Sequence, residues 1–203
     1  MLELLAPALC AGCDLPLTGD EELCEACQPL LEPAPPELRP PAPAAAAYCY
    51  QGPLADAVRR IKYAGRSENA RPLARLLGEA AVAYAGCVDC VVPVPLHPRK
   101  LALRGCNLSA LLARGVAARL GVRLEVGWLR RVRATRAQAG LVAELRADNV
   151  RGAFAASPVH PNRQHVLLID DVRTTGATSE AAADALRAQG HEVLCLALAW
   201  APK

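Results

Sequence analysis

An α/β protein is expected from this chain: a parallel sheet flanked by helices, preceded by a small four-cysteine module. Three observations carry this. Val166–Ile169 (VLLI) is an apolar run without alternation, the pattern of a strand buried on both faces. Similar runs at 87–95 and 192–199 are separated from it by helical patterns, and strands alternating with helices close into a parallel sheet. Ahead of them, Cys10-x2-Cys13 and Cys24-x2-Cys27 form two knuckles on one short loop.

Residues 1–31 are the cysteine module. Two CxxC pairs at this spacing suit one tetrahedral Zn²⁺ held by four thiolates, so Cys10, Cys13, Cys24 and Cys27 are the metal ligands expected here. The other CxxC pair, Cys87 and Cys90, has no second pair beside it and reads as small core residues. Residues 32–47, EPAPPELRPPAPAAAA, carry no amphipathic period and are expected to be a semi-stiff linker before a main domain over 48–203.

A short strand is expected at 48–51. Leu54, Val58 and Ile61 recur at i, i+4, i+7, which predicts a helix stopped at Gly65. A second helix is expected over 70–85, with Leu73, Leu76 and Leu77 on one face. Residues 87–95 are the first central strand, ended by Pro93 and Pro95. A cationic loop over 96–104 follows, then a helix over 107–120 stopped by Gly121 and a strand near 124–128. Residues 130–151 are Arg-rich with weak periodicity, a loop passing into a short helix. A strand over 150–156, a turn, the strand 166–169, a helix ended by Gly190 and a last strand over 192–199 complete the order.

The bulk composition sets limits. At 203 residues, 53% apolar and 21% charged, the chain supports a real core, and a net charge of +3 is too small to argue for nucleic acid by itself. Aromatic residues make up 3%, too few for an evident base-stacking platform. The apolar start is short, carries Glu3 and lacks a basic leader, and Leu9 is not the small residue that lipidation of Cys10 requires. With no membrane span in the sequence, a cytoplasmic protein is expected, and nine cysteines then argue for metal or core rather than disulfides.

The stretch VLLIDDVRTTGATS over 166–179 carries the chemistry. Asp170 and Asp171 end the apolar run, at the end of a parallel strand where such sheets bind ligands. Thr174, Thr175, Gly176, Ala177 and Thr178 then open a helix whose backbone N–H groups and hydroxyls can surround a phosphate. Two acids beside a phosphate cradle suit a sugar phosphate, with ribose hydroxyls on the acids and a divalent cation nearby. The pattern resembles the phosphoribosyl pyrophosphate (PRPP) motif of type I phosphoribosyltransferases.

Most of the chain is similar to the ComF family of phosphoribosyltransferase-like proteins. The resemblance runs through the double CxxC, LADAVRRIKYAGR at 54–66, VVPVPLHPRKLALRGCN at 91–107, TRAQAGL at 135–141, RADNVRGAF at 146–154 and the PRPP motif. It implies a type I phosphoribosyltransferase-like sheet and Mg²⁺-dependent pentosyl transfer with release of pyrophosphate. Asp170 and Asp171 are then the catalytic acids and 174–178 the 5′-phosphate loop. His97, Arg99, Lys100 and Arg104 would hold pyrophosphate, and a flexible loop bearing Arg133, Arg136 and Gln138 would close over the site. Structural Zn²⁺ and substrate-bound Mg²⁺ are the implied metals, and PRPP or ribose 5-phosphate the implied ligand. The family also implies a role in competence and DNA uptake, with a competence-machinery protein or single-stranded DNA as partner.

One block departs from the family pattern R-G-[FY]-N-Q-[AS]-E: Cys106, Leu108 and Ala110 replace an aromatic residue, a Gln and a Glu. Slow turnover is the expectation if those side chains meet substrate. Three readings stand open: a transferase with an unidentified base or amine acceptor, a non-catalytic PRPP sensor, and a DNA-handling accessory.

Overall fold

The computed structural model describes residues 9–17, 21–133, 150, 152–157 and 163–202. Its centre is a five-stranded, all-parallel sheet. Strand β1 is Ala44–Cys49, β2 Cys90–Pro93, β3 Arg123–Leu124, β6 His165–Arg173 and β7 Glu192–Trp200, in the order β1-β7-β6-β2-β3. Two further strands, β4 (Leu129–Arg131) and β5 (Phe154–Ala156), pair antiparallel as a separate ribbon. Helices α1 (Gly52–Tyr63), α2 (Ala70–Ala81), α3 (Pro98–Arg104), α4 (Leu108–Leu120) and α5 (Ala177–Arg187), with four short 3-10 turns, complete the described elements.

The pleat of β6 divides the core. Leu167 and Ile169 face one side with Val91, Leu196 and Leu198, covered by α1, α2 and α4. Val166 and Leu168 face the other with Val92 and Cys195, covered by α5 and by Trp128, Leu129 and Phe154 around the ribbon. A period of two along a strand buried on both faces requires this division.

Helix boundaries follow local chemistry. Pro53 lies in the first turn of α1, where its missing N–H costs nothing, and Leu54, Ala57, Val58 and Ile61 form its buried stripe. Helix α2 ends at Ala81 and tightens into a 3-10 turn over Val82–Tyr84, short of the expected 85. Helices α2 and α4 approach closely because Gly115 lies against Ala74; a Cβ on Gly115 would sit 2.7 Å from the Ala74 Cβ and 2.8 Å from its carbonyl oxygen.

Several further expectations need correction. The first strand begins at Ala44, four residues ahead of 48, and so its first four residues lie within the stretch expected to be a linker. It pairs with β7 from Ala44↔Cys195 to Cys49↔Trp200, and Ala34 and Ala46 pack against Ala197. Alanine's weak strand preference is overridden by burial against a neighbouring strand. Second, the expected loop at 96–104 is helix α3: the His97 side chain accepts a hydrogen bond from Arg99 N–H, Pro98 starts the helix, and Gly105 ends it at φ +74°. Third, the strand expected at 124–128 is only the two-residue β3, and the chain then turns into β4 of the ribbon. The strand expected over 150–156 is β5, shortened to Phe154–Ala156.

Among the described residues no helix is long and apolar enough to cross a membrane.

Candidate functional site

The site is positioned by a mismatch in strand length. Strand β2 pairs with β6 only as far as Pro93↔Ile169, with Val94 N–H donating to the Ile169 carbonyl at 2.9 Å. Beyond that point β6 continues from Asp170 to Arg173 beside β7 alone. The chain leaves β2 toward β3 on one side and β6 toward β7 on the other, so the crevice between β2 and β6 is a topological switch point at the strands' carboxyl ends. A cavity of about 420 Å³ opens there.

The pleat sends the two acids to opposite faces. Asp170, on the α5 side, accepts from Ser179 Oγ at 2.8 Å on Oδ2 and from Asp171 N–H at 2.8 Å on Oδ1, with Ser109 Oγ of α4 at 3.4 Å. Asp171 turns toward α1, where its Oδ2 meets Lys62 Nζ at 2.8 Å, and its Oδ1 accepts from Val172 N–H at 2.6 Å. Burial, and then the neighbouring Asp171 charge, push the Asp170 carboxyl up to about 6, against the hydrogen bonds from Ser179 and Asp171 N–H and the Lys62 charge.

The opposite wall is cationic. Lys100 and Arg104 reach the cavity from α3 and Arg131 from β4. Burial lowers the Lys100 pKa, and the like charges of Arg131, Arg104 and Lys62 lower it further. Burial also holds the Arg131 guanidinium below its ordinary value, opposed by Asp170. Four cations and two carboxylates therefore share one crevice, and the surplus positive charge is partly desolvated. The guanidinium of Arg104 lies 5.3 Å above the Tyr63 ring, which fixes it at the rim.

The threonine loop follows β6 and leads into α5. Thr174 and Thr178 line the cavity, Thr175, Gly176 and Ala177 are outside its lining, and the Thr175 hydroxyl accepts from Ala177 N–H at 3.4 Å as α5 begins. Gly176 is the residue before α5, at φ +81°, a left-handed conformation that favours glycine. A side chain there would also press on the Arg173 guanidinium, whose atoms lie 3.2–3.3 Å from a built Cβ. Arg173 is itself held by donation to the Ala44 carbonyl at 2.8 Å.

Asp170, Asp171, Thr174, Thr178, Lys100 and Arg104 are thus gathered around one cavity. His97 and Arg99 do not line it: His97 caps α3, and Arg99 is exposed on that helix. Arg133 is exposed and also outside the lining, while Arg136 and Gln138 lie outside the described residues. Cys106, Leu108 and Ala110 are absent from the lining too, and Leu108 is core, so the departure from the family pattern does not touch this cavity. Sequence reasoning missed Lys62, Arg131, Ser109 and Ser179. Lys62 left a signal as an isolated lysine among arginines inside LADAVRRIKYAGR, Arg131 lies in the Arg-rich stretch over 130–151, and Ser179 closes the stretch over 166–179.

The four cysteines form a second cluster. Their sulfurs all lie within 4.8 Å of one another, with Cys13 and Cys24 at 3.6 Å. Four thiolates at about 2.3 Å from a tetrahedral Zn²⁺ stand about 3.8 Å apart, so the set could hold such an ion. Burial alone would raise the Cys10 thiol, yet backbone N–H groups of Cys24, Cys13 and Gly12 bring it down to about 7, while burial and the neighbouring thiols push Cys27 up. The knuckle docks on α1: Arg60 donates to the carbonyls of Ala11 and Gly12, and Asp14 meets Arg60, Arg66 and Asn69.

Comparison with known proteins gives relatives over most of the chain. The chain is 35% identical over 198 residues to DNA utilization protein YhgH of Salmonella typhimurium, covering 93% of this chain and 83% of that protein. It is 34% identical over the same length to the protein of that name in Escherichia coli K12. It is 32% identical over 151 residues to competence protein F of Haemophilus influenzae, covering 70% and 66% of the two chains. No family model matches. Among solved structures, glutamine PRPP amidotransferase from B. subtilis aligns at TM-score 0.48 and 24% identity over 68% of this chain and 30% of that one. Adenine phosphoribosyltransferase from Leishmania donovani aligns at TM-score 0.42 and 11% identity over 87% and 77%.

Proposed function

Because the chain belongs to the ComF family, with DNA utilization protein YhgH and competence protein F as relatives, we propose that it binds PRPP at the β2–β6 crevice, transfers the pentosyl group with release of pyrophosphate, and serves DNA uptake or use. One observation carries the reading: two adjacent acids project past the end of β2 into a cavity bounded by a threonine loop on one side and cations on the other.

The parts divide the ligand. The loop 174–178 offers backbone N–H groups and hydroxyls at the start of α5 to the 5′-phosphate. Asp170 and Asp171 take the ribose hydroxyls; the hydrogen bonds they already accept orient their carboxylates and leave further lone pairs. Lys100, Arg104 and Arg131 face the pyrophosphate and stabilise the charge that grows on it as the anomeric C–O bond breaks. The acceptor's lone pair forms the new bond at that carbon, and the chain needs no nucleophile of its own. Its contribution is position and electrostatics. Tyr50 and Tyr63 at the cavity suit a planar acceptor.

The oxygen-rich acids fit a hard divalent cation, and Mg²⁺ bound with the substrate would neutralise pyrophosphate oxygens. The cysteine knuckle fits Zn²⁺, held by Cys10, Cys13, Cys24 and Cys27.

Calorimetry with PRPP and with ribose 5-phosphate, each with and without Mg²⁺, tests the binding. Mg²⁺-dependent PRPP binding, weakened by Asp171→Ala, is expected; no binding of either ligand would overturn the reading. A pyrophosphate-release assay across bases and amines then tests transfer. Tight PRPP binding with no release for any acceptor would leave a sensor in place of a transferase.

A further inference from the structure

We propose that Lys62 is a binding residue that changes partner when ligand enters: its ammonium, held by Asp171 in the structure, passes to the diphosphate of the incoming sugar phosphate and leaves Asp171 to the ribose hydroxyls. The inference rests on the cavity being a PRPP site. Lys62 lies on α1, outside both the acid–threonine motif and the segment after β2. Its Nζ is 2.8 Å from Asp171 Oδ2, and both side chains are only 15% exposed. An ion pair removed this far from water is a strong contact and not a solvated surface pair.

Geometry and charge make the exchange favourable. Asp171 uses Oδ1 for Val172 N–H and Oδ2 for Lys62, and each oxygen keeps a further lone pair for a ribose hydroxyl. A hydroxyl donated to Asp171 shares the carboxylate's charge and weakens its hold on the ammonium. On the ligand's other half, Lys100, Arg104 and Arg131 already face the same cavity, and the Lys62 charge acts on Lys100. A diphosphate placed among these cations offers Lys62 a more highly charged partner than one carboxylate.

The helix that carries Lys62 is fixed. Two residues earlier, on the other side of α1, Arg60 donates to the Ala11 carbonyl at 2.8 Å and to that of Gly12, pinning the helix to the cysteine knuckle. The movement therefore belongs to the four-carbon lysine stem, whose three N–H donors rotate freely.

Lys62→Met and Lys62→Arg, checked by thermal melting, would be titrated with PRPP and ribose 5-phosphate in Mg²⁺. Lys62→Met should weaken PRPP by about 10- to 100-fold, as loss of a charged hydrogen bond does, and ribose 5-phosphate by less than about threefold. Lys62→Arg should recover part of the PRPP affinity. Unchanged PRPP affinity, or equal losses for both ligands, would overturn the proposal, the latter reducing Lys62 to a support for Asp171. A wild-type protein that binds neither ligand would remove the site reading itself, and this one with it.

Discussion

Gly176 sits at φ +81°, and any side chain there would press on the Arg173 guanidinium. Gly176→Val should therefore nearly abolish ribose 5-phosphate binding, seen by calorimetry, through backbone strain and a displaced phosphate loop. Full affinity in that variant would remove the loop from the site. Asp170 gives a second test among single residues. Its carboxyl, only 8% exposed, is raised from 3.8 to about 6 in the folded state. Between those values the native state holds more protons than the unfolded chain, so stability falls as pH rises from about 4 to about 6 and stays reduced above. Asp170→Asn, which keeps groups able to bond Ser179 and Asp171 N–H, should raise the melting temperature at pH 7.5 but not at pH 4, while weakening ligand. A variant less stable than wild type at pH 7.5 would contradict the burial argument.

Between elements, the α2–α4 contact is set by what is missing. Gly115 has no Cβ, and its backbone rests on Ala74, as Gly78 rests on Arg119. Gly115→Ala gains up to about 1 kcal/mol of helix propensity but overpacks a backbone contact, which costs about 1–3 kcal/mol. Urea unfolding should show a net loss of about 1–2 kcal/mol. A stabilised variant would mean that the two helices separate freely. The same pair of helices covers the sheet face beneath the acids, so the strain should reach Ser109 near Asp170 and weaken PRPP binding slightly.

Across the molecule, the cysteine knuckle and the sheet share one apolar cluster: Cys10, Ala11, Leu23 and Cys27 pack with Leu54, Ile61 and Leu73. A module this small has little core of its own, and the four cysteines could hold a metal that ties it together. Purified protein should contain about one zinc per chain, the number that a single four-thiolate site takes. Cys24→Ser should lose the metal and lower the melting temperature by on the order of 5 °C or more. A metal-free wild-type protein with a Cys24–Cys27 disulfide would defeat the assignment.

The buried strands, their alternation with helices, the cysteine quartet and the acid–threonine turn are all legible in the chain alone. These are local signals: an apolar run, a fixed spacing and a turn that needs glycine each fit within about a dozen residues. Local reading misjudged β1 because an alanine run becomes a strand only when β7 lies beside it, and α3 because its Pro98 start and Gly105 stop were read as loop chemistry. Completion of the site is a matter of three dimensions. Lys62 comes from α1, Arg131 from the ribbon and Ser109 from α4, each far along the chain from Asp170 and with no local pattern that ties it to that acid. The length difference between β2 and β6 opens the crevice, and the pleat turns one acid toward Ser179 and the other toward Lys62. Strand register and helix placement set those meetings, and both follow from packing the whole core, which no short window of sequence contains.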